Sequence, residues 1–485
     1  MKYTSTRNSN LSTNAANAIL TGIAPNGGLF VPTQFPALDY TECFGLSYPE
    51  TAQKVLGAFL TNYSADFIKA ATESAYSEAN FDGKAGFVAK ADSDTQMLEL
   101  WHGPTCAFKD YALQLMPKLL VEAKKILGST ELTKILVATS GDTGKAALAG
   151  YAGLDGIKIA VFYPNAGTSE IQRLQMATQE GENVAVYAVN GNFDDAQTGV
   201  KRAFADTKLA EDLKSDNAAL SSANSINWGR LAPQIVYYFY SYAQLVKTGA
   251  ITSGDKVDFI VPTGNFGDIL AGYYAKQMGL PVGKLVCASN KNNVLTDFLT
   301  TGTYDAKRPF YKTTSPSMDI LVSSNLERLL YHITNDSALV ADLMKQLNEN
   351  GKYTVSADVL VKIKETFDCG CASDDEAAQE IRECFEENGY LMDPHTAVAY
   401  YVRKYTKSDA AAQVVLSTAS PYKFPCDVLK ALGESVPQDE FEAMNALNAK
   451  TSMPIPQSLA QLKSKPVRFS EIIETSEIIK TALKL

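Results

Sequence analysis

Two short stretches have the pattern of anion-holding loops. TGNFGD, Thr263 to Asp268, lies between the apolar run DFIV and the helical pattern ILAGYYAKQMG, and TSGDTG, Thr139 to Gly144, lies between KILVA and KAALAGYAG. Where a glycine loop runs into a helix, the unpaired N–H groups of the first turn and the positive end of the helix dipole favour a negative ligand. Glycine lets that ligand approach the backbone closely. TGNFGD contains neither lysine nor arginine, so its backbone alone would have to hold the charge. Two familiar nucleotide loops are excluded by spacing. G-x-x-x-x-G-K-[ST] needs a glycine where Thr139 stands and a hydroxyl where Ala146 stands, and neither stretch contains G-x-G-x-x-G. Either loop alone could do no more than turn the chain; two of them favour ligand binding.

A third stretch, HGPTCAFKDYALQLMPKLL, runs from a turn at Gly103, Pro104 and Thr105 into a helical pattern with Lys109 near its start. The helix dipole disfavours a cation there and so lowers the amine's pKa. That suits a lysine serving as a nucleophile, as in a Schiff base, or as a base. The plain alternative is a solvated surface lysine, against which Cys106, Ala107 and Phe108 supply apolar neighbours. Pro117 in the same pattern predicts a kink or an early stop.

The elements that must position these residues repeat one grammar. KILVA, a glycine loop, KAALAGYAG and IKIAVFYP read as strand, loop, helix, strand, and so do VDFIVP, TGNFG, DILAGYYAKQMG and KLVCAS. Both loops also echo each other in letters, which hints at two related α/β units or simply at a common way of joining strand to helix. The first hundred residues, with a turn at PNGG and short amphipathic runs such as TAQKVLGAFL, read as an accessory region. In NLERLLYHITNDSALVADLMKQLNENG, Leu326, Leu329, Leu330 and Ile333 share one helix face, which predicts a helical insertion. AAQVVLSTASPYKF reads as a last strand returning to the sheet, and EIIETSEIIKTALKL as a closing helix.

Composition narrows the function classes. A chain of 485 residues with 46% hydrophobic content can build two or three packed units, and a formal net charge of −10 argues against nucleic acid or an anionic membrane as partner. No stretch approaches the roughly 18 consecutive apolar residues of a membrane span, and the N-terminal segment lacks the basic-then-apolar pattern of a secretory signal. Seven scattered cysteines and three histidines give no metal-ligand spacing, so no metal is expected and reduced thiols in a cytoplasmic protein fit best.

HGPTCAFKD resembles the pyridoxal-phosphate lysine motif of the threonine synthase family. SGDTG, SINWGRLAPQ, PTGNFGDILAG, DPHTAVA and LSTASPYKF resemble that family's other signatures in the same order, and YTSTR and GGLFVP its N-terminal segment. The resemblance thus covers nearly the whole chain. It implies an α/β protein of pyridoxal-phosphate fold type II. Residues 1–96 would form the N-terminal accessory domain, and 97–430 a catalytic core of two open parallel-sheet α/β units. The smaller unit would span about 130–225, the helical insertion about 320–390, and 431–485 would form a C-terminal segment packed on the core. The implied cofactor is pyridoxal 5'-phosphate and the implied substrate O-phospho-L-homoserine, converted with water to L-threonine and phosphate by a monomer or homodimer.

Residue by residue, the resemblance makes Lys109 the catalytic amine that holds the cofactor and moves protons at Cα and Cβ. Gly264, Asn265, Phe266, Gly267 and Asp268 would hold the cofactor phosphate through backbone amides, and Thr418 would hydrogen-bond the pyridine nitrogen through a neutral hydroxyl. Ser140, Gly141, Asp142 and Thr143 would receive the substrate carboxylate, while Ser225, Asn227 and Arg230 would hold its phosphate, with Lys145 a further cation nearby. His102 and His395 lie inside the motifs with either a packing or a catalytic role. Ser420 and Tyr422 depart from the family's usual histidine and alanine. The rival readings are a phospho-lyase or dehydratase of the same fold type and a non-catalytic binder; a dehydratase has no use for Arg230, nor a binder for Lys109.

Overall fold

The structure is a computed structural model that describes residues 1–166 and 168–485. Among the described residues, two parallel sheets face a common cleft. The larger has six strands in the spatial order Phe367–Cys371, Val282–Ser289, Val257–Pro262, Ala412–Ser417, Thr95–Glu99 and Phe87–Lys90. All pairs are parallel except the last. The smaller has Ile472–Glu474, Val184–Asn190, Ile157–Pro164, Leu132–Ala138 and Ala218–Ser221, all parallel. Central strands such as VDFIVP are buried along their whole length, because helices cover both faces of a parallel sheet and leave no polar side.

The 20-residue helix Trp228–Lys247 is the spine between the sheets and the N-terminal region, and it is apolar on nearly every face because it is enclosed on nearly every face. At its start Trp228 packs edge-on to Tyr3 and Phe59, with ring centroids 5.3 and 5.4 Å away. The first residues form a small antiparallel sheet that reaches the core through one ion pair and one buried guanidinium. Arg7 pairs with Glu327 at 2.6 Å, and the buried Arg328 donates to the Phe30 and Ile226 carbonyls and to Asn325.

Several expectations shift in detail. The larger sheet begins at Phe87, ahead of the expected boundary at 97, because Phe87–Lys90 is its antiparallel edge strand. The segment expected to be a helical insertion does contain Leu326–Thr334, Ser337–Asn350, Ala357–Thr366 and Asp374–Asn388, but it also supplies the opposite edge strand, Phe367–Cys371. The closing helix starts only at Ile478. Ile472–Glu474 extends instead, since the edge of the smaller sheet offers unpaired backbone groups at Ala188 to Asn190. Pro117 does produce an early stop: the Lys109 helix ends at Leu113 and a new helix, Met116–Leu127, begins with the proline in its first turn, where no N–H is missed.

Helix Asp142–Tyr151 crosses the Lys109–Leu113 helix so closely that a Cβ at Gly150 would lie 1.9 Å from the Leu113 carbonyl oxygen. Backbone cannot yield as a flexible side chain can. Gly150→Ala is therefore expected to cost about 2–3 kcal/mol or more and to displace Lys109. A melting temperature unchanged from the parent would refute that contact.

Candidate active site

Both glycine loops open at the C-terminal ends of parallel strands and into one cavity of about 620 Å³, where open α/β sheets place their ligands. Lys109, Thr143, Arg230, Gly267, His395 and Thr418 all line it.

The turn before Lys109 is folded by its own polar groups. Asp110, fully buried, accepts from the Thr105 N–H at 2.9 Å and the Thr105 hydroxyl at 2.7 Å, and Cys106 takes a left-handed conformation at φ 60°. Backbone bonds then zip this turn to the end of strand Ala412–Ser417: Phe108 N donates to the Thr418 carbonyl at 2.9 Å and Ser420 N to the Cys106 carbonyl at 3.1 Å. Lys109 and Thr418 are thereby set side by side. Lys109 is 8% exposed, and its Nζ lies 3.2 Å from Asp142 Oδ2 and 3.3 Å from Ser317 Oγ. Burial pulls the amine's pKa below its ordinary value against the attraction of Asp142, and Lys423 and Arg230 push the same way as burial.

In the loop Thr263 to Asp268, the backbone N–H groups from Gly264 onward have no protein acceptor among the described residues, and no side chain caps helix Gly267–Gln277. Phe266 holds the left-handed conformation at φ 61° and is kept there by burial of its ring against Phe367, centroids 5.5 Å apart. Such a kink turns successive amides toward one point, the geometry of an anion nest. A side chain at Gly264 would press within 3.0 Å of the Ser317 carbonyl oxygen, so the cradle must be bare there. The segment Ser323 to Asn325 clamps the loop from behind: Ser323 Oγ donates to the Gly264 carbonyl at 2.8 Å, and Asn325 N and Nδ2 donate to the Asn265 carbonyl, each at 3.1 Å. Burial pushes the Asp268 carboxyl up to about 7, although Tyr237 and Tyr238 donate to it.

The second loop departs from expectation. Thr139 Oγ1 accepts from the Gly141 and Gly144 N–H groups at 2.9 and 3.0 Å, so the Gly141 amide is already spent. Asp142 does not offer its side chain to a substrate anion. It accepts from Lys423 at 2.5 Å, from Lys109 and from Gln172, because a buried carboxylate 2% exposed needs cations around it. Burial alone would raise its pKa, but Lys423 and Lys109 hold it well below the usual carboxylate range. What remains for an anion is the pair of Asp142 and Thr143 amides at the helix start, with Ser140 beside them.

Arg230 is 3% exposed and has no carboxylate partner among the described residues. Its Nη1 donates to the Ala223 carbonyl at 2.5 Å, its Nε has no acceptor, and burial pushes it down to about 10. A buried guanidinium in that state calls for an anion. Ser225 lies in the same wall, but Asn227, expected beside it, does not line the cavity. Its Oδ1 caps the long helix at Gly229 N and its Nδ2 donates to the Ile19 and Ser222 carbonyls, which leaves it no N–H for an anion. Asn224, which the sequence reading passed over, lines the cavity instead.

Ser317 and Lys423 were also missed. Ser317 sits in a 3₁₀ turn, Pro316–Met318, fixed by His395, whose Nε2 accepts from Ser317 N at 3.1 Å while its Nδ1 faces Asp393 at 2.6 Å. His395 thus supports the cavity wall, whereas His102 is outside it and paired with Glu99. Lys145 likewise turns away, to Gln179 at 2.5 Å. Of the two departures, Tyr422 donates to the Met453 carbonyl in the C-terminal segment and Ser420 Oγ caps Tyr422 N; neither lines the cavity.

The chain resembles known proteins along nearly its whole length. Residues 2–76 match the family described as threonine synthase N terminus, 98–419 that of pyridoxal-phosphate dependent enzymes, and 396–482 the threonine synthase C-terminal family. A threonine synthase of Pseudomonas aeruginosa is 41% identical over 438 residues, covering 89% of this chain and 90% of that protein. The human threonine synthase-like 1 is 39% identical over 431 residues and 86% of this chain, which spans 58% of that longer protein. The solved structure of a pyridoxal-phosphate-bound threonine synthase from Brucella melitensis superposes with a TM-score of 0.88 at 37% identity, covering 100% of this chain and 99% of that one. The chain belongs to the threonine synthase family of pyridoxal-phosphate dependent enzymes.

Proposed function

We propose that the protein is a threonine synthase, converting O-phospho-L-homoserine and water to L-threonine and phosphate. The observation that carries this is the pairing, in one cavity, of a buried amine beside a backbone anion cradle with a second, uncompensated buried cation at Arg230. One anion site suits a cofactor phosphate that stays; the other suits a substrate phosphate that leaves.

Lys109 would hold the cofactor, the amides of Gly264 to Asp268 its phosphate, and the Thr418 hydroxyl its ring nitrogen. When bound, pyridoxal phosphate would supply an electron sink that makes protons on the amino-bearing carbon, and then on the carbon next to it, removable. The protein's share begins with placement. The Asp142 and Thr143 amides, with Ser140, receive the substrate carboxylate, while Arg230, Ser225 and Asn224 surround its phosphate. Lys109, freed by the incoming amine, takes the Cα proton and then serves at Cβ, and phosphate leaves Cγ with the bonding electrons. Water adds its oxygen at Cβ, and protons return to Cγ and Cα. Ser317 Oγ, within 3.3 Å of both Lys109 and Asp142, is placed to pass a proton along that face.

The protein would act as a monomer or a homodimer. The seven cysteines are free thiols, as suits the reducing cytoplasm, and no described helix is long and apolar enough to cross a membrane. The test is to assay phosphate and threonine separately from O-phospho-L-homoserine, with borohydride reduction and peptide mapping to locate the cofactor. Equal yields of both products and label on Lys109 are expected. Phosphate without threonine would make the protein a phospho-lyase.

A further inference from the structure

We propose that Lys423 is the permanent counter-ion of Asp142 and that, by holding that charge, it allows Lys109 to shed its proton and act as a base in a buried site. This rests on Lys109 being the reactive amine. Lys423 is wholly buried behind the cavity wall, and among the described residues its Nζ lies 2.5 Å from Asp142 Oδ1 and 3.0 Å from the Thr105 carbonyl. The other Asp142 oxygen faces Lys109 at 3.2 Å. One carboxylate therefore serves two lysines, one inside the cavity and one outside it.

A buried carboxylate with a single cationic partner would bind that proton tightly, since losing it strands the negative charge. If Asp142 had only Lys109, each deprotonation of Lys109 would leave Asp142 uncompensated. With Lys423 fixed on the far oxygen, Asp142 stays neutralised whichever state Lys109 is in. The charged and titratable groups that face Lys109 are Asp142, Lys423, Arg230 and Asp268, with His395 facing Asp142. Of these, Asp142 alone draws Lys109 strongly toward the ammonium form, and Lys423 offsets it. Lys423 is thus a positioning residue: it touches neither cavity nor ligand.

The test reads Lys109 directly. Trace acylation of the cofactor-free protein across pH, with peptide mapping, reports the midpoint at which Lys109 becomes neutral, independently of turnover. In Lys423→Met the full attraction of Asp142 falls on Lys109, so that midpoint is expected to rise by about 1–3 pH units, and the acid limb of kcat to rise with it. Lys423→Arg, which keeps the charge, should restore the parent midpoint. Lys423→Gln keeps a donor for the Thr105 carbonyl, protects the fold if the methionine variant does not assemble, and should show the same rise. A folded Met or Gln variant that loses kcat with an unmoved midpoint overturns the proposal, because that is what a merely structural lysine would do. Failure of borohydride to fix the cofactor on Lys109 would instead sink the assignment of the reactive amine.

Discussion

Lys109→Ala is expected to lower turnover of O-phospho-L-homoserine by at least about four orders of magnitude, because the proposed mechanism has the same amine hold the cofactor and carry the protons, and a positioned base alone is worth about 10² to 10⁴. The fold should survive. Asp142 keeps Lys423 at 2.5 Å, so removal of Lys109 leaves no unpaired carboxylate behind. Cofactor should still associate through the amides of Gly264 to Asp268, now without a covalent link, and borohydride should leave no label on the protein. Residual turnover within tenfold of the parent, measured on protein whose melting is unchanged, would move the chemistry to another residue.

Arg230→Ala should act differently, on one class of ligand. Charge-assisted hydrogen bonds contribute about 1.5–3 kcal/mol each, so loss of a two-donor grip should weaken O-phospho-L-homoserine and inorganic phosphate by about two orders of magnitude or more. L-threonine, which carries no phosphate, should bind nearly as before. Arg230→Lys should recover part of the loss, since it restores a point charge without the fork. Equal weakening of phosphate-bearing and phosphate-free ligands would mean that Arg230 only supports the wall through its bond to the Ala223 carbonyl.

How far the sequence was legible depends on the distance over which each residue acts. Lys109 and the loop Thr263 to Asp268, which line one cavity, could be picked out because their signal is local: a glycine loop, a helix start and a lysine in an apolar run are contained in a dozen letters. The α/β grammar was legible for the same reason, since a strand buried on both faces spells itself in consecutive apolar residues. Lys423 was not legible. Nothing near it announces that it will meet Asp142, a residue 281 positions earlier, across the junction of two sheets. Asn227 misled because an asparagine close to an arginine in a motif looks like a ligand group, whereas immediately before a 20-residue helix it serves as the cap. The strand Ile472–Glu474 hid inside a helical pattern because pairing at a sheet edge overrode local preference.

The strand Ala412–Ser417 hydrogen-bonds Val257–Pro262 on one side and Thr95–Glu99 on the other. On the ribosome, where chains grow at about 5–20 residues per second, the middle of the larger sheet is therefore the last part to arrive. Until residue 417 has emerged, the strands on either side of the gap are two open edges, and the turn carrying Lys109 has nothing to be zipped against. Cofactor loading must accordingly wait for a nearly finished chain. A transcript truncated before residue 412 would yield not a weakened enzyme but two unpaired sheet edges, a substrate for chaperones or for aggregation.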